Sequence, residues 1–517
     1  MILSRSTRIL ALFAIMAFAA ALRVPGIYWG DGEIGKNSFA HWHVDEDTHV
    51  EIAKQFLSGK VDYGFDYVKG FGAHIAAAAN LVKLFGWKTS AEDLHRFGRW
   101  ISLCYGLGTI LLVHIAVSRI SGSRAAALLA AWFMAVCSLA VTNSHFAAAD
   151  SAACFWMWAA AYLCWKGLRD ESSAAKLGAW ASCGMALAVK ITVAACFPLI
   201  ILFLAGKNRW RILFAGMSIS SFVFFAANGW GVGWDGMLAI AGKILGDSVS
   251  VIPRHSATET AFTVFISLFP AYSLPLVLLA VIGLGEARRS IANVHWGYWG
   301  CFAAPALGHA FLVLSLDDPF ERHLLPFAPA ICGLAAMGWP KVFPGEGHWS
   351  FQALGPLALV SYLVFFAIDG EYPFWHDNRI TARSWIVREV EPGSRMLEGP
   401  YARLYLPNGK YKTKETGLRS KTFPRIGDFD FLALHEFHTY RYERSRLSPF
   451  RKPLPGNIYH PDRFGLEYWD GLKNGEGPLK LIRRFPAPGQ WSPERRFYKK
   501  YWGTFTSFVG DVYIFKQ

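Results

Sequence analysis

The sequence predicts an α-helical polytopic membrane protein of about eleven transmembrane segments, with a small C-terminal α/β extracytoplasmic domain. Three observations predict it. Hydrophobic residues fill 53% of 517 positions against 17% charged, and mean hydropathy is +0.25, which excludes a disordered or wholly soluble chain. Apolar runs of near-spanning length recur as far as residue 368. Charge is segregated as well: residues 371–517 hold 26 Lys+Arg against 16 Asp+Glu, which is +10 of the net +14. The expected domains are therefore a membrane region over 1–369, with a long first loop at 28–97, and a basic soluble region over 370–517.

The apolar segments lie near 8–27, 98–118, 124–142, 150–166, 177–190, 191–206, 211–228, 261–284, 296–315, 323–339 and 351–368. The fifth and sixth are too short to cross alone and read as a bent pair meeting near Lys190, whose charge is costly at mid-bilayer unless it lines a cavity. Thirteen Lys and Arg, among them Arg5, Arg8, Arg119, Arg124, Arg169 and Arg211, sit in short connectors on one side, against about four on the other. The basic side reads as cytoplasmic. An odd number of spans then puts the tail, the 28–97 loop and the 143–150 turn outside. The first segment, basic and then apolar, competes with a cleaved signal peptide, and the span count favours its retention. All eight cysteines lie in or beside apolar runs and none forms a CxxC pair, so neither a disulfide framework nor a cysteine zinc site is expected.

In the tail, residues 377–390 read as a helix, and 429–434, 479–482 and 512–515 as short strands. Its positive charge suits anionic headgroups, an anionic acceptor glycan, or simply a soluble lid. No nucleic-acid partner is expected.

Candidate chemistry gathers on the outer side. The first loop carries His41, His43, Asp45, Glu46, Asp47 and His49 in one short stretch. Carboxylates near lipid gain proton affinity unless paired, which suits a general base, although Asp45 or Asp47 would equally cap the helix that follows. The second outer turn carries His145 and ends at Asp150. Topology puts Asp45 and Asp150 on the same face, where they can converge. Lys69, Lys190, Arg254, His255, Arg322 and His323 are the cations available there to neutralise a lipid phosphate. Asp45, Asp150, His43 and His145 form a set that permits a divalent metal ion without requiring one. A near match to a phosphate-binding loop over 30–36 is discounted, because Asn37 replaces the Ser/Thr and no strand precedes it.

The order of these features resembles the GT-C membrane glycosyltransferases, specifically the polyprenyl-phosphate-sugar-dependent family that includes protein mannosyltransferases and the lipid A aminoarabinose transferase. Four stretches carry the resemblance: His43-Val-Asp45-Glu46 with the helix after it; His145 to Asp150; Gly184-Met-Ala-Leu-Ala-Val-Lys190; and Arg322-His-Leu-Leu-Pro326-Phe-Ala-Pro329. The tail segment from Asp377 to Ile386 also looks like the outer domain of some bacterial members. Val44 stands where the family usually has Pro, and Tyr67-Val-Lys69 is the nearest match to its Lys-Pro-Pro.

The resemblance implies transfer of a sugar, with inversion, from a polyprenyl phosphate to a hydroxyl on protein, lipid or glycan, at the outer face of a bacterial inner membrane. Asp45 is then the base, with Glu46 as neighbour or stand-in. Lys190, Arg254 and Arg322 stabilise the leaving phosphate. Asp150 orients the acceptor, holds Lys69 or a histidine, or binds the metal. The rival from another class is a transporter or flippase using Asp45, Asp150 and Lys190 as a relay. Acids gathered at one face and the absence of a visible inverted repeat disfavour it.

Overall fold

A computed structural model of the chain describes residues 4–32, 40, 42–61, 68–196, 209–228, 257–291, 296–315, 321–343, 354–399, 401–415, 427–436 and 479–517. These fall into two compact units. The first comprises Met1–Ile27, Asp45–Pro253 and Ala271–Ile368; the second comprises Tyr28–Val44, Arg254–Pro270 and Asp369–Gln517. The second unit thus joins Tyr28–Val44 and Arg254–Pro270 to the segment that starts at Asp369.

The first unit is helical: α1 (Arg5–Ile27), α2 (Val44–Ser58), α3 (Gly70–Leu84), α4 (Ala91–Ser121), α5 (Arg124–Ala135), α6 (Ser138–Asn143), α7 (Asp150–Arg169) and α8 (Ser173–Val189), then α9 (Arg209–Asn228). After α10 (Ala257–Tyr272) come α11 (Leu274–Ile291), α12 (Trp296–Ser315), α13 (Ala328–Val342) and α14 (Leu354–Trp375). Among the described residues four helical stretches are long and apolar enough to cross a membrane, starting at Arg5, Ala91, Arg211 and Leu354. The protein is a multi-pass membrane protein.

Other expected segments are interrupted, each for a physical reason. The 124–142 segment divides into α5 and α6 because Arg23, fully buried in α1, takes the carbonyls of Met134 and Ala135 at the end of α5. A cation at a helix C-terminus satisfies carbonyls that have no partner within the helix. The eighth segment, 261–284, is broken: α10 and α11 are bent by 110° about Ser273, whose φ is +71°. Most of α10 belongs to the second unit, where Ser267 reaches the hydroxyl of Tyr498 and Phe262 packs near Trp502. The 177–190 segment ends as α8 does, at Lys190, and the 3₁₀ turn Ile191–Cys196 follows; 197–206 lies outside the described residues.

The second unit is a mixed sheet with helices. Its strands β1 (Arg395–Glu398), β2 (Lys412–Glu415), β3 (Phe431–His435), β4 (Lys480–Phe485) and β5 (Val512–Lys516) run in the order β2-β1-β3-β5-β4. The β1–β2 and β1–β3 pairs are parallel, and β5 is antiparallel to β3 and β4. Alternation sets its two faces: Met396, Val512 and Ile514 pack with Ala382 and Ile386 of α15 (Asn378–Glu389), while Leu397, Leu432, Tyr513 and Phe515 pack on the other side. The strand expected at 429–434 is β3, and Asp377 caps α15 by accepting from the Arg379 amide. The strands β1 and β2 and the helix α16 (Pro493–Trp502) are additions to the expected set.

Candidate active site

The acidic stretch of the first loop forms the opening turn of α2, with Asp45, Glu46 and Asp47 in its first turn, where carboxylates complement the helix dipole. Successive residues on a helix point about 100° apart, so neighbours meet different partners. Asp45 pairs with the Arg322 guanidinium, and both side chains keep about a fifth of their surface accessible. Glu46 faces the interior. Its carboxylate takes both Nε and Nη2 of Arg99 at 2.8 Å, and accepts from the Ala147 amide at 2.8 Å. Neither Glu46 nor Arg99 has any exposed side-chain surface.

That second contact ties α2 to the turn leading to Asp150. The approach requires Gly98 on α4, where a Cβ would stand 2.5 Å from the Ala147 methyl. Ser102 holds the same turn through the Ala148 carbonyl. Asp150, the first residue of α7, receives the Lys190 ammonium, and these side chains are 11% and 23% exposed. The partner that sequence neighbourhood could not supply for Lys190 lies 40 residues away. Arg322 and His323 also lie close enough to act electrostatically on Asp150. Two carboxylates and two cations therefore form one connected constellation: Asp45, Arg322, Asp150 and Lys190.

Arg322 sits in the 3₁₀ segment Glu321–Phe327, which Pro326 keeps from becoming α-helix. Side chains from three helices collect its carbonyls. His309 donates to His323, the Tyr272 hydroxyl to Leu324, the Cys154 thiol to Leu325 and the Trp158 indole to Pro326. His309, Tyr272 and Trp158 were not anticipated, because a side chain serving a distant carbonyl leaves no local pattern.

The remaining expected residues are placed as follows. Lys69 is buried at the start of α3, its amide donating to Asn228 of α9. The residue after it, Gly70, lies against the end of α8, where a Cβ would meet the Ala188 carbonyl at 2.4 Å. His145 is buried with its ring against Gly26. His43 belongs to the second unit and packs against Phe508, with ring centroids 3.9 Å apart and planes tilted by 30°. Arg254 and His255 lie outside the described residues. Both oxygens of Glu46, expected as a neighbour or stand-in for the base, are committed to Arg99 and Ala147. Among the described residues, no group of three or more His, Cys, Asp or Glu side chains converges as a metal site, and Asp45 and Asp150 are each joined to a cation instead. The described donor set does not fit a divalent ion.

Residues 85–228 match the model of the dolichyl-phosphate-mannose-protein mannosyltransferase family. No curated protein is significantly similar in sequence. Among solved structures, the oligosaccharyltransferase of Archaeoglobus fulgidus in its apo form is similar at a TM-score of 0.53 and 11% identity, covering 99% of this chain and 89% of that one. The oligosaccharyltransferase AglB of the same organism, in complex with an inhibitory peptide and a dolichol-phosphate, aligns at 0.50 and 12%, over 99% and 88%. ArnT from Cupriavidus metallidurans bound to undecaprenyl phosphate aligns at 0.42 and 13%, over 86% and 96%. At 11–12% identity the likeness to the two archaeal structures is one of fold, the GT-C fold.

Proposed function

We propose that this chain, a membrane glycosyltransferase of the GT-C fold, transfers a sugar from a polyprenyl phosphate to a hydroxyl acceptor with inversion at the anomeric carbon. The observation that carries this reading is the constellation itself: two carboxylates, each holding a cation, all four side chains partly accessible. The segment matched by the mannosyltransferase model runs through Arg99, Asp150 and Lys190, and the archaeal enzyme of similar fold was solved with a dolichol-phosphate, both of which support a lipid-phosphate donor.

In this reading Arg322 and Lys190 are poised for phosphate. A bound donor phosphate competes with Asp45 and Asp150 for these two cations and draws them away. Asp45, relieved of Arg322, becomes a free base beside the acceptor. The acceptor oxygen attacks the anomeric carbon, its proton passes to the Asp45 carboxylate, and the bond from that carbon to the phosphate oxygen breaks. The electron pair leaves on polyprenyl phosphate, whose charge Lys190 and Arg322 stabilise. Asp150 holds Lys190 until the donor binds and, once released from it, orients the acceptor. Glu46 and Arg99 are positioning residues that fix Asp45 relative to the Asp150 turn.

The same reading places the N-terminus in the cytoplasm and the second unit outside, at a bacterial inner membrane, since the Lys/Arg bias of the short connectors supports that orientation. The test is sugar transfer from a radiolabelled polyprenyl phosphate donor by the purified chain in detergent and in sealed vesicles. Label joined to an acceptor hydroxyl supports the enzyme. Label crossing the vesicle wall with its phosphate bond intact would make the protein a transporter.

A further inference from the structure

The first unit has a second charged site at the other end of α4. A cavity of about 530 Å³ opens there between α1, α4 and α5, lined by Arg5, Arg8, His114, Ser118 and Arg124 with Ile9, Leu12 and Leu128. At 1.5 Å per residue the α4 helix from Arg99 to Ser118 is about 28 Å long, close to the thickness of a bilayer's hydrocarbon core. The cavity therefore lies at the membrane edge opposite the carboxylates.

Its electrostatics are unbalanced. The lining contains three guanidinium groups and no carboxylate, and none of the three makes an ion pair with a described residue. Two helices also begin there. Arg5 opens α1 and Arg124 opens α5, and neither helix has an acidic residue in its first turn. Helix N-termini carry partial positive charge and normally recruit Asp or Glu, so placing arginines on them adds repulsion that a bound anion would relieve beyond the screening of solvent. On the cavity wall, the Nδ1 atom of His114 is shielded from solvent and has no hydrogen-bond partner among the described residues. Beside this polar pocket the surface is apolar: Ile9, Leu10 and Phe13 of α1 are all more than half exposed.

We propose that this cavity binds the phosphate of an anionic phospholipid, with Arg5, Arg8 and Arg124 around the phosphate, His114 and Ser118 as further hydrogen-bonding groups, and the acyl chains against Ile9, Leu12 and Leu128. A phosphodiester supplies the missing negative charge and the several acceptors that forked guanidinium groups need. The exposed apolar strip of α1 matches a lipid and not a soluble anion. The inference stands apart from the transfer chemistry, since none of these residues belongs to the proposed active site.

The test uses the full chain in detergent, titrated with phosphatidylglycerol, phosphatidylcholine or inorganic phosphate, with bound lipid counted by native mass spectrometry. Phosphatidylglycerol is expected to be retained preferentially. Each Arg→Gln change at Arg8 and Arg124 is expected to weaken its apparent affinity about fivefold. The paired Arg8→Lys and Arg124→Lys changes should restore most of it, which separates charge from a packing defect. Equal retention of the two lipids, or retention untouched by both Gln changes, would overturn the proposal. So would saturation of the site by inorganic phosphate without lipid, which would assign the same phosphate chemistry to a soluble ligand.

Discussion

The best-held carboxylates of the two units differ from those of the site. Asp377, Asp369 and Asp511 of the second unit each accept several hydrogen bonds, as Glu46 does in the first. Asp377 accepts from the Arg379 amide, from Nε and Nη2 of Arg379 and from the Trp29 indole. Asp369 takes the Trp491 and Ser492 amides, the Ser492 hydroxyl and Arg495. Asp511 takes Arg484, Lys499 and the Ala487 amide. In the first unit, Asp150 has one hydrogen-bond partner among the described residues, Lys190, and accessible surface remains on both. A carboxylate with every lone pair occupied holds a fold together. One with a single exchangeable cation can give that cation up, and the difference separates scaffold from site.

Four changes would break or sharpen this contrast. The largest effect is expected from Asp45→Asn, which removes the base but not the shape: transfer should fall on the order of 10²–10⁴-fold with melting temperature little changed. Retention of full activity would end the role given to Asp45. Next comes Glu46→Ala, which strands Arg99 as an uncompensated buried charge. It should cost about 3–5 kcal/mol of stability, read as lost folded protein on gel filtration, because removing one partner of a buried pair is far worse than never having had the pair. If the Glu46→Ala protein is stable and merely slow, Glu46 belongs with the site and not with the frame.

Lys190→Met should leave the fold standing and reduce transfer by about 10²–10³-fold, the usual loss for one group that stabilises a developing anion. The smallest effect is a pH dependence in the second unit. Burial, followed by the nearby Glu415 charge, pushes the Glu398 carboxyl up, while a hydrogen bond from the Leu404 amide opposes the shift. A carboxyl with a raised folded value binds its proton more tightly when folded. Its stabilising contribution is therefore complete below its unfolded value near 4.5 and is lost as pH rises through the folded value. Glu398→Gln, which keeps an acceptor for Leu404, should melt slightly higher than the parent at pH 7, and the gap should close on acidification to pH 4. A constant gap across that range would mean that the residue is not protonated in the way its burial indicates.

Much of the fold is legible in the chain. Lipid demands apolar runs of fixed length, and those runs place most of the helices of the first unit. The bent span at 261–284 was not legible, because its composition is apolar on both sides of Ser273 and nothing local distinguishes a turn within a membrane from a turn out of it. Nor was the division of 124–142, which depends on Arg23 arriving from a different helix. The constellation was legible as four residues in unusual places: two acids at helix starts, a lysine at a break in an apolar run, and an arginine ahead of a proline. Their pairing was not. Asp45 and Arg322 lie 277 residues apart, and Asp45 and Glu46, adjacent and chemically alike, take opposite roles because a helix turns them to different neighbours.

By itself, then, the amino-acid sequence determined that the chain would enter a membrane, where its spans would start, and which scarce charges would have to be accommodated at their edges. Transfer free energy is a local property, summed along the chain one residue at a time. Only the tertiary structure decided which cation meets which carboxylate, that Glu46 closes while Asp45 stays accessible, and that three arginines line one cavity. Electrostatic and hydrogen-bond energies depend on distance in space, and separation along the chain says almost nothing about that.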